Sequence, residues 1–391
     1  MNELQNGIIS LVKSALTGEK VSVPENFDWD MALKCGKKHQ ILPMLHFGVL
    51  NSEIKLLPEL MKKLKISTYA NVVVSQKQLC ALDEICQAFS ENGIDYMPLK
   101  GSVLKFLYPK PELRPMSDLD ILIRQEQYQK TRPIMIGLGF SETIESNHEF
   151  VWDKDNILHI ELHKRLIPSY NKDYYEYYGD GWRFAHQKDN FRYEMSNEDN
   201  YIFIFTHYAK HYRDGGIGIR HITDIYVFSA AHPELNYSYI EDELKKLQLF
   251  EFYKNTKHTI DVWFGGNTPD EMSDLITAKI FGSGSYGTHN AHLLSAAVKT
   301  SGSATDESKV MKSLLKNRVF PPYKAMVLRY KCLEKHPSLL PLMWGVRFLQ
   351  IPFRRGSIKR NAETAKVVAP DKVIAYRDEL EAVGLKFNFE E

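Results

Sequence analysis

The sequence predicts an α+β protein in which a small mixed sheet lies between helical regions. Three observations lead to this prediction. Apolar residues recur with helical spacing over residues 26–91, apolar strands alternate with helical stretches over 94–137, and helical spacing resumes after residue 196. With 391 residues the chain exceeds the usual size of one domain, so several subdomains around a substantial core are expected.

The composition is that of an ordinary globular protein, with 43% hydrophobic and 25% charged residues and a formal net charge of +1. Because this balance provides no overall attraction to polyanions, we expect no long nucleic-acid partner, and any polyanion site has to be local. The cysteines show no C-x-x-C spacing, residues 1–20 lack a secretion-signal pattern, and no apolar stretch is long enough to span a bilayer. A cytoplasmic protein without a membrane span is therefore predicted, and its oligomeric state stays open.

The N-terminal helical region is assigned to residues 1–91. Its apolar side chains recur every three or four positions, as at Leu79, Leu82 and Ile85, which is typical of one buried helix face. The dipeptide Asn92-Gly93 then favours a turn that ends the helix.

Residues 92–195 are predicted to form the α/β core. Strands are expected at 94–99 and 118–123, and helices from Ser102 and over about 125–137. A β-hairpin is expected around Asp155-Asn156, because both residue types tolerate tight turns and apolar runs flank them.

The rest of the chain is predicted to be mainly helical. Residues 196–281 form a second helical region that opens with the capping pattern of Ser196–Asp199. Residues 282–308, rich in Gly, Ser, Thr and Asn, are expected to be a flexible loop or linker, or a lid. Residues 309–391 are expected to be mainly helical, and the basic run 354–360 after an apolar stretch fits either a solvated helix end or an interfacial membrane helix.

The chemistry is expected where the first strand ends and the second begins. Lys100, Gly101 and Ser102 open a helix after a strand, a position whose free N–H groups suit phosphate. Asp118 and Asp120 lie two residues apart, so they point to one face of their strand. Paired carboxylates repel each other unless a cation lies between them, and hard oxygen ligands suit Mg²⁺ held together with substrate phosphates.

These motifs resemble the bacterial uncharacterised nucleotidyltransferase family, which belongs to the polymerase-β-type nucleotidyltransferase superfamily. Members of this family are often encoded near polysaccharide-biosynthesis genes. The resemblance covers about residues 25–265 and rests on short motifs that include 99–101, Tyr108, Arg114, 117–123, 160–163 and 207–211. The segment between Ser102 and Asp118 carries three prolines and is longer than in compact members of the superfamily.

The resemblance implies a role for each matching residue. Asp118, Asp120 and a third carboxylate, Glu161, would hold two Mg²⁺ ions, and Glu161 could accept the proton of the attacking hydroxyl. Four further residues are expected near the nucleotide: Gly101 and Ser102 would contact phosphates, and Lys100 and Arg114 would neutralise triphosphate charge or form ion pairs. His163 either contacts substrate or packs beside Glu161.

The predicted function is Mg²⁺-dependent transfer of a nucleoside monophosphate from an NTP, by default ATP, to a hydroxyl of a small-molecule, sugar or protein acceptor. Two alternatives are a metal-dependent glycosyltransferase that uses a nucleotide-sugar, since Asp-x-Asp also occurs there, and a non-catalytic nucleotide-binding protein of the same fold. A zinc site at His207 and His211 lacks the usual accompanying ligands, so hydrogen bonding near Arg220 and Asp224 is favoured.

Overall fold

The computed structural model describes residues 1–146, 148–168, 171–350 and 363–387. The chain divides into two units. The first contains Met1–Lys210 and Ile217–Tyr286, and the second contains His211–Gly216 and the described part of Gly287–Glu391. Among the described residues, we find no helix with the length and apolar character that a membrane crossing requires.

The first unit contains a seven-stranded mixed sheet in the order β3-β4-β5-β2-β1-β7-β6. Its strands are β1 Tyr96–Leu99, β2 Leu119–Ile123, β3 Ser141–Glu145, β4 Glu149–Lys154, β5 Leu158–His163, β6 His186–Asp189 and β7 Arg192–Glu194. The pairs β2–β5 and β1–β7 are parallel, and the other neighbours are antiparallel. The predicted α+β class with a mixed-sheet core is confirmed.

The helices of the first unit precede, interrupt and follow the strands in the chain. Before β1 lie α1 Glu3–Thr17, α2 Trp29–Lys38, α3 Leu42–Asn51 and the long α4 Pro58–Glu91. Within and after the sheet lie α5 Gly101–Leu104, α6 Tyr128–Gly137, α7 Lys172–Tyr178, α8 Asn197–Asp214, α9 Ile219–Ala231, α10 Tyr237–Lys246, α11 Phe250–Ile260 and α12 Glu271–Ser283. Helix α8 ends in residues of the second unit.

Side-chain alternation gives the central strands two different faces. On one face Ile121 of β2 and Ile160 of β5 join a buried apolar cluster with Ile85 of α4. Because successive side chains of a strand point to opposite sides, Asp120 and Glu161 lie on the other face. The apolar face therefore fixes the sheet against α4 and leaves the polar face for chemistry.

The hairpin prediction at Asp155-Asn156 is confirmed. These residues connect β4 to β5, and both adopt left-handed backbone conformations, with φ of 56° and 53°. Asn and Asp populate this region more readily than other non-glycine residues, and two such residues in succession match the twist of a hairpin.

The second unit is helical. It holds α13 His289–Ser301, α14 Glu307–Val319, α15 Tyr323–Arg329, α16 Cys332–Lys335, α17 Leu340–Gln350 and α18 Pro370–Ala382. Helix α18 packs against α13 and α14, with Val298, Val310 and Leu380 fully buried. The basic run predicted at 354–360 lies outside the described residues.

The expected flexible segment 282–308 is corrected by this unit, since α13 lies within it. Thr288 caps the helix by accepting a hydrogen bond from the Ala291 N–H, and its buried residues include Ser295, Ala297 and Ser301. The small size of these residues explains the error. A buried face made of Ser and Ala with the single larger residue Val298 lacks the apolar periodicity by which a helix is recognised, although it packs closely.

Candidate active site

Strand register brings the two central acids together. In the parallel pair of β2 and β5, Asp120 lies opposite Glu161. In the antiparallel pair of β4 and β5, Glu149 lies opposite His163. Polar side chains of three neighbouring strands therefore converge on one face of the sheet.

Asp120 is the most buried acid of this group, with 3% of its surface exposed. Its Oδ1 accepts a hydrogen bond from Lys100 Nζ at 2.6 Å and lies 2.7 Å from His163 Nε2. Burial alone would raise the pKa of Asp120, but the charge of Lys100 and the contact with His163 outweigh it and lower the pKa. Asp120 is therefore an anion held by two nitrogen groups.

His163 links Asp120 to Glu161. Its Nε2 lies 3.4 Å from Glu161 Oε2, and its Nδ1 lies 3.6 Å from Glu149 Oε2. Burial and the nearby Lys100 lower the pKa of His163, but its contacts with Asp120 and Glu161 prevail and raise it. Burial raises the pKa of Glu161, whereas the hydrogen bond from His163 lowers it, and the net direction is downward. The ring therefore favours the ionised form of both acids.

Within the described part of the chain, two overlapping groups of side chains could hold a metal ion. In each group, made of Asp120, Glu161 and His163 or of His148, Glu149 and His163, the ligand atoms lie within 4.8 Å of one another. Asp118 belongs to neither group among the residues that the structure describes.

Asp118 lies one residue before β2 and is half-buried. Burial and the charge of Asp120 raise its pKa, with a further contribution from Glu161. The charges of Asp120 and Glu161 therefore act on Asp118, although Asp118 is outside the group of Asp120, Glu161 and His163. Metal ligation by Asp118 stays a prediction.

The Lys100–Ser102 turn packs closely against β2. Lys100 has φ 45° and ψ −114°, an unusual conformation for a residue with a Cβ. Helix α5 is a single turn, in which the Val103 and Leu104 N–H groups donate to the Lys100 carbonyl. The buried Ser102 Oγ donates to the Asp120 carbonyl at 3.3 Å. The hydroxyl thus fixes the turn to the strand that carries Asp120.

Arg114 lies in a buried ion pair with Asp224 of α9. Its Nε and Nη2 donate to the two carboxylate oxygens at 2.7 and 2.9 Å. The Nη1 atom lies beside Gly101, where a Cβ would come within 2.8 Å of it. Triphosphate binding by Arg114 stays a prediction, whereas its function in fixing the loop before β2 to α9 is a feature of the structure.

The later motif residues have related positions. Arg220 is buried and donates through Nη1 to the Pro115 carbonyl at 2.6 Å, and Asp224 is buried against Arg114. The hydrogen bonding expected of His207 and His211 near these two residues stays a prediction. His207 and His211 belong to neither metal group within the described part of the chain.

Sequence reasoning missed His148 and Glu149. Burial and the charges of His163 and Lys100 lower the pKa of His148 strongly, and burial and Glu161 raise the pKa of Glu149. Glu149 is the first residue of an alternating strand, so its position on the polar face could have been predicted from the sequence. Its approach to His163, however, depends on the β4–β5 register.

Family comparison supports the class of enzyme that this site suggests. A family model for nucleotidyltransferases matches residues 25–265, which is more than half of the chain. The chain belongs to the family described as uncharacterised nucleotidyltransferase.

Comparison with solved structures finds a partial similarity to the antibiotic-resistance factor ANT(2'')-Ia, determined in solution. The identity is 13% and the TM-score 0.31, over 49% of this chain and 100% of that chain. No curated protein matches the chain.

Proposed function

We propose that the protein is a Mg²⁺-dependent nucleotidyltransferase of the polymerase-β type that transfers a nucleoside monophosphate from an NTP to a hydroxyl of a small-molecule, sugar or protein acceptor. The observation that carries this proposal is the convergence of Asp120, Glu161 and His163 on the polar face of the sheet, in a chain of a nucleotidyltransferase family.

The acids fit a divalent cation. Carboxylate oxygens are the ligands that Mg²⁺ prefers, and Asp120 already carries a cation, the Lys100 ammonium, against its Oδ1. Asp120 and Glu161 would hold two Mg²⁺ ions, and Asp118, the residue before β2, would add a third carboxylate. When bound, two such ions would stabilise the charge that develops on the phosphates and lower the pKa of the acceptor hydroxyl.

The chain's own residues have separate functions in this proposal. Lys100, whose Nζ donates to Asp120, would bind the phosphates of ATP together with the first amides of α5, those of Gly101 and Ser102. The acceptor oxygen forms a bond to the α-phosphorus as the bond to pyrophosphate breaks, and Glu161 receives the hydroxyl proton. His163 orients both Asp120 and Glu161 through its Nε2.

Calorimetric titration with ATP, GTP, CTP and UTP, each with and without Mg²⁺, tests the proposal. We expect Mg²⁺-dependent binding of at least one NTP, weakened at least tenfold in Asp120→Asn and Glu161→Gln. Asp153→Asn is the matched control, because Asp153 is an acid of β4 on the same face that pairs with His159 instead of His163. Its binding is expected to equal that of the wild type.

Several results would contradict the proposal. If no NTP bound but a nucleotide-sugar did, the glycosyltransferase alternative would replace it. If an NTP bound and no pyrophosphate appeared with any hydroxyl acceptor, the protein would be a nucleotide-binding protein of this fold. Equal binding by Asp120→Asn and the wild type would separate the nucleotide from this cluster.

A further inference from the structure

A pocket beside Asp118 is not used by the chemistry described so far. It has a volume of about 570 Å³ and is formed by the end of α2, the start of α3, the first half of α4 and the loop residues Pro115, Met116 and Ser117. This volume lies in the range of small-molecule sites. Ser117 lines the pocket, and Asp118, a predicted metal ligand, is the next residue. Their Cα atoms are therefore about 3.8 Å apart.

This wall is fixed from two sides. The Pro115 carbonyl accepts from Arg220 of α9 at 2.6 Å, and the Met116 carbonyl accepts from Gln78 of α4 at 2.9 Å. Arg220 also reaches Oε1 of Gln40, itself a lining residue, at 3.4 Å. Because the loop carbonyls are bonded to two helices, the pocket is preformed and its position relative to Asp118 is defined.

The lining has a definite chemical character. Lys37 and Lys63 supply two cations, and the twelve lining residues include no Asp or Glu. Leu42, Ile66 and Met116 add apolar surface. The lining contains no Phe, Tyr or Trp, so it lacks the aromatic platforms on which nucleobases usually stack. These features fit an anionic, partly apolar ligand better than a nucleotide base.

We propose that this pocket binds the acceptor, and that the acceptor is a hydroxyl compound with an apolar portion and an anionic group, either carboxylate or phosphate. The proposal rests on the proposed function and adds the substrate class. The anionic group lies toward Lys37 and Lys63, the apolar portion lies along Ile66, and the hydroxyl extends past Ser117 toward Asp118.

Binding of 8-anilinonaphthalene-1-sulfonate, a fluorescent probe that combines an anionic group with apolar surface, tests the pocket directly. We expect saturable binding to the full chain. The double variant Lys37→Glu/Lys63→Glu is expected to weaken it at least tenfold, and Ser67→Trp, which fills the pocket from α4, is expected to abolish it. The matched control Lys34→Glu/Lys62→Glu changes the same charges on the same two helices outside the lining, and is expected to keep the wild-type affinity.

Competition identifies the anionic group. Displacement of the probe by inorganic phosphate or by acetate, against NaCl at equal ionic strength, would indicate a phosphate-bearing or a carboxylate-bearing acceptor. Displacement by neither would overturn the anionic part of the proposal. Unchanged probe binding in Lys37→Glu/Lys63→Glu, with thermal unfolding like that of the wild type, would overturn the whole.

Titration with Mg²⁺ and ATP separates this inference from the proposed function. If the nucleotide displaced the probe at the concentration that saturates its own site, the pocket would hold the nucleotide and the inference would be wrong. If no NTP bound the protein while the probe still bound in the lysine-dependent manner, the proposed function would fail, and the pocket would remain an anion site without this role.

Discussion

Arg114 and Asp224 form a buried, bidentate ion pair between the loop before β2 and helix α9. Their side chains are only 6% and 4% exposed, and the Tyr108 hydroxyl donates to the same Asp224 Oδ1 at 2.7 Å. Burial opposes the charge on Arg114, but Asp224 prevails and raises the pKa of the guanidinium. The loop that leads to Asp118 therefore owes its position to a residue more than a hundred positions later.

Asp224→Asn is expected to destabilise the protein by about 3–5 kcal/mol, because it leaves the Arg114 charge buried without a counter-ion. Urea unfolding measures the change. The double variant Arg114→Met/Asp224→Leu, which removes both charges, is expected to recover most of the loss. A single variant as stable as the wild type would show that the pair is solvated in solution.

Gly101→Ala is expected to cost about 1–3 kcal/mol, because the new Cβ would lie 2.8 Å from Arg114 Nη1 and 3.0 Å from Met116 Sδ. The guanidinium cannot move away freely, since Asp224 holds it at two points. Thermal unfolding measures the effect. Gly137→Ala at the end of α6 is the control, because a Cβ there meets nothing within 4 Å, and this variant is expected to be as stable as the wild type or more stable by up to about 1 kcal/mol.

Lys100→Gly is expected to be more stable than Lys100→Ala by about 1 kcal/mol, because both variants lose the ion pair with Asp120 but only Ala keeps a Cβ at φ 45°. Urea unfolding of the two variants compares them directly.

Lys130 of α6 provides the opposite case to Lys100. It is an exposed residue within a helix, and there the Ala variant is expected to be the more stable by up to about 1 kcal/mol. If glycine were the less stable residue at both positions, Lys100 would not have the unusual backbone conformation in solution.

His39 is expected to make stability fall in acid. Its Nδ1 accepts from the Ile219 N–H, and its Nε2 lies 3.3 Å from the Phe281 carbonyl, so the neutral ring joins α2 to α9 and α12. Burial lowers its pKa from 6.5 to about 4, despite the hydrogen bond to Phe281. Protonation would place a hydrogen on Nδ1, facing the Ile219 N–H.

The direction of this pH dependence follows because the pKa of His39 is lower in the folded protein than in the unfolded chain. Between pH 6.5 and about 4 the unfolded chain binds a proton at His39 that the folded protein does not, so stability is present above this window and is lost as the pH falls through it. From pH 7 to 5 the wild type is expected to lose about 2 kcal/mol more than His39→Gln in urea unfolding. The exposed His186→Gln should behave like the wild type, and equal losses in all three proteins would contradict the prediction.

Much of the sheet was predictable because its determinants are local. Alternation identified β2 and β5, and Asp155-Asn156 identified the hairpin between β4 and β5. The short strands β3, β6 and β7 were missed, since β3 and β6 are largely exposed and carry no apolar alternation. Helix α13 was taken for a linker because its buried face is made of small residues.

The site was predictable only in part. Asp120, Glu161 and Lys100 were chosen from their motifs, and the structure brings them together. The close approach of His163 to Asp120, the presence of Glu149 and the pairing of Arg114 with Asp224 depend on contacts between distant segments. A periodic pattern states which face a side chain occupies, but not which side chain of another element will lie opposite it.

By itself the sequence determined the α+β class, the strands that carry the acids and the family motifs, because strand alternation, turn residues and short motifs act over a few neighbouring positions. Tertiary structure decided that Asp120 lies between Lys100 and His163, that Arg114 faces Asp224, and that a lysine-lined pocket ends at Ser117 beside Asp118. The physical reason is that burial and charge pairing depend on strand register and helix packing, which are set by contacts across the whole fold.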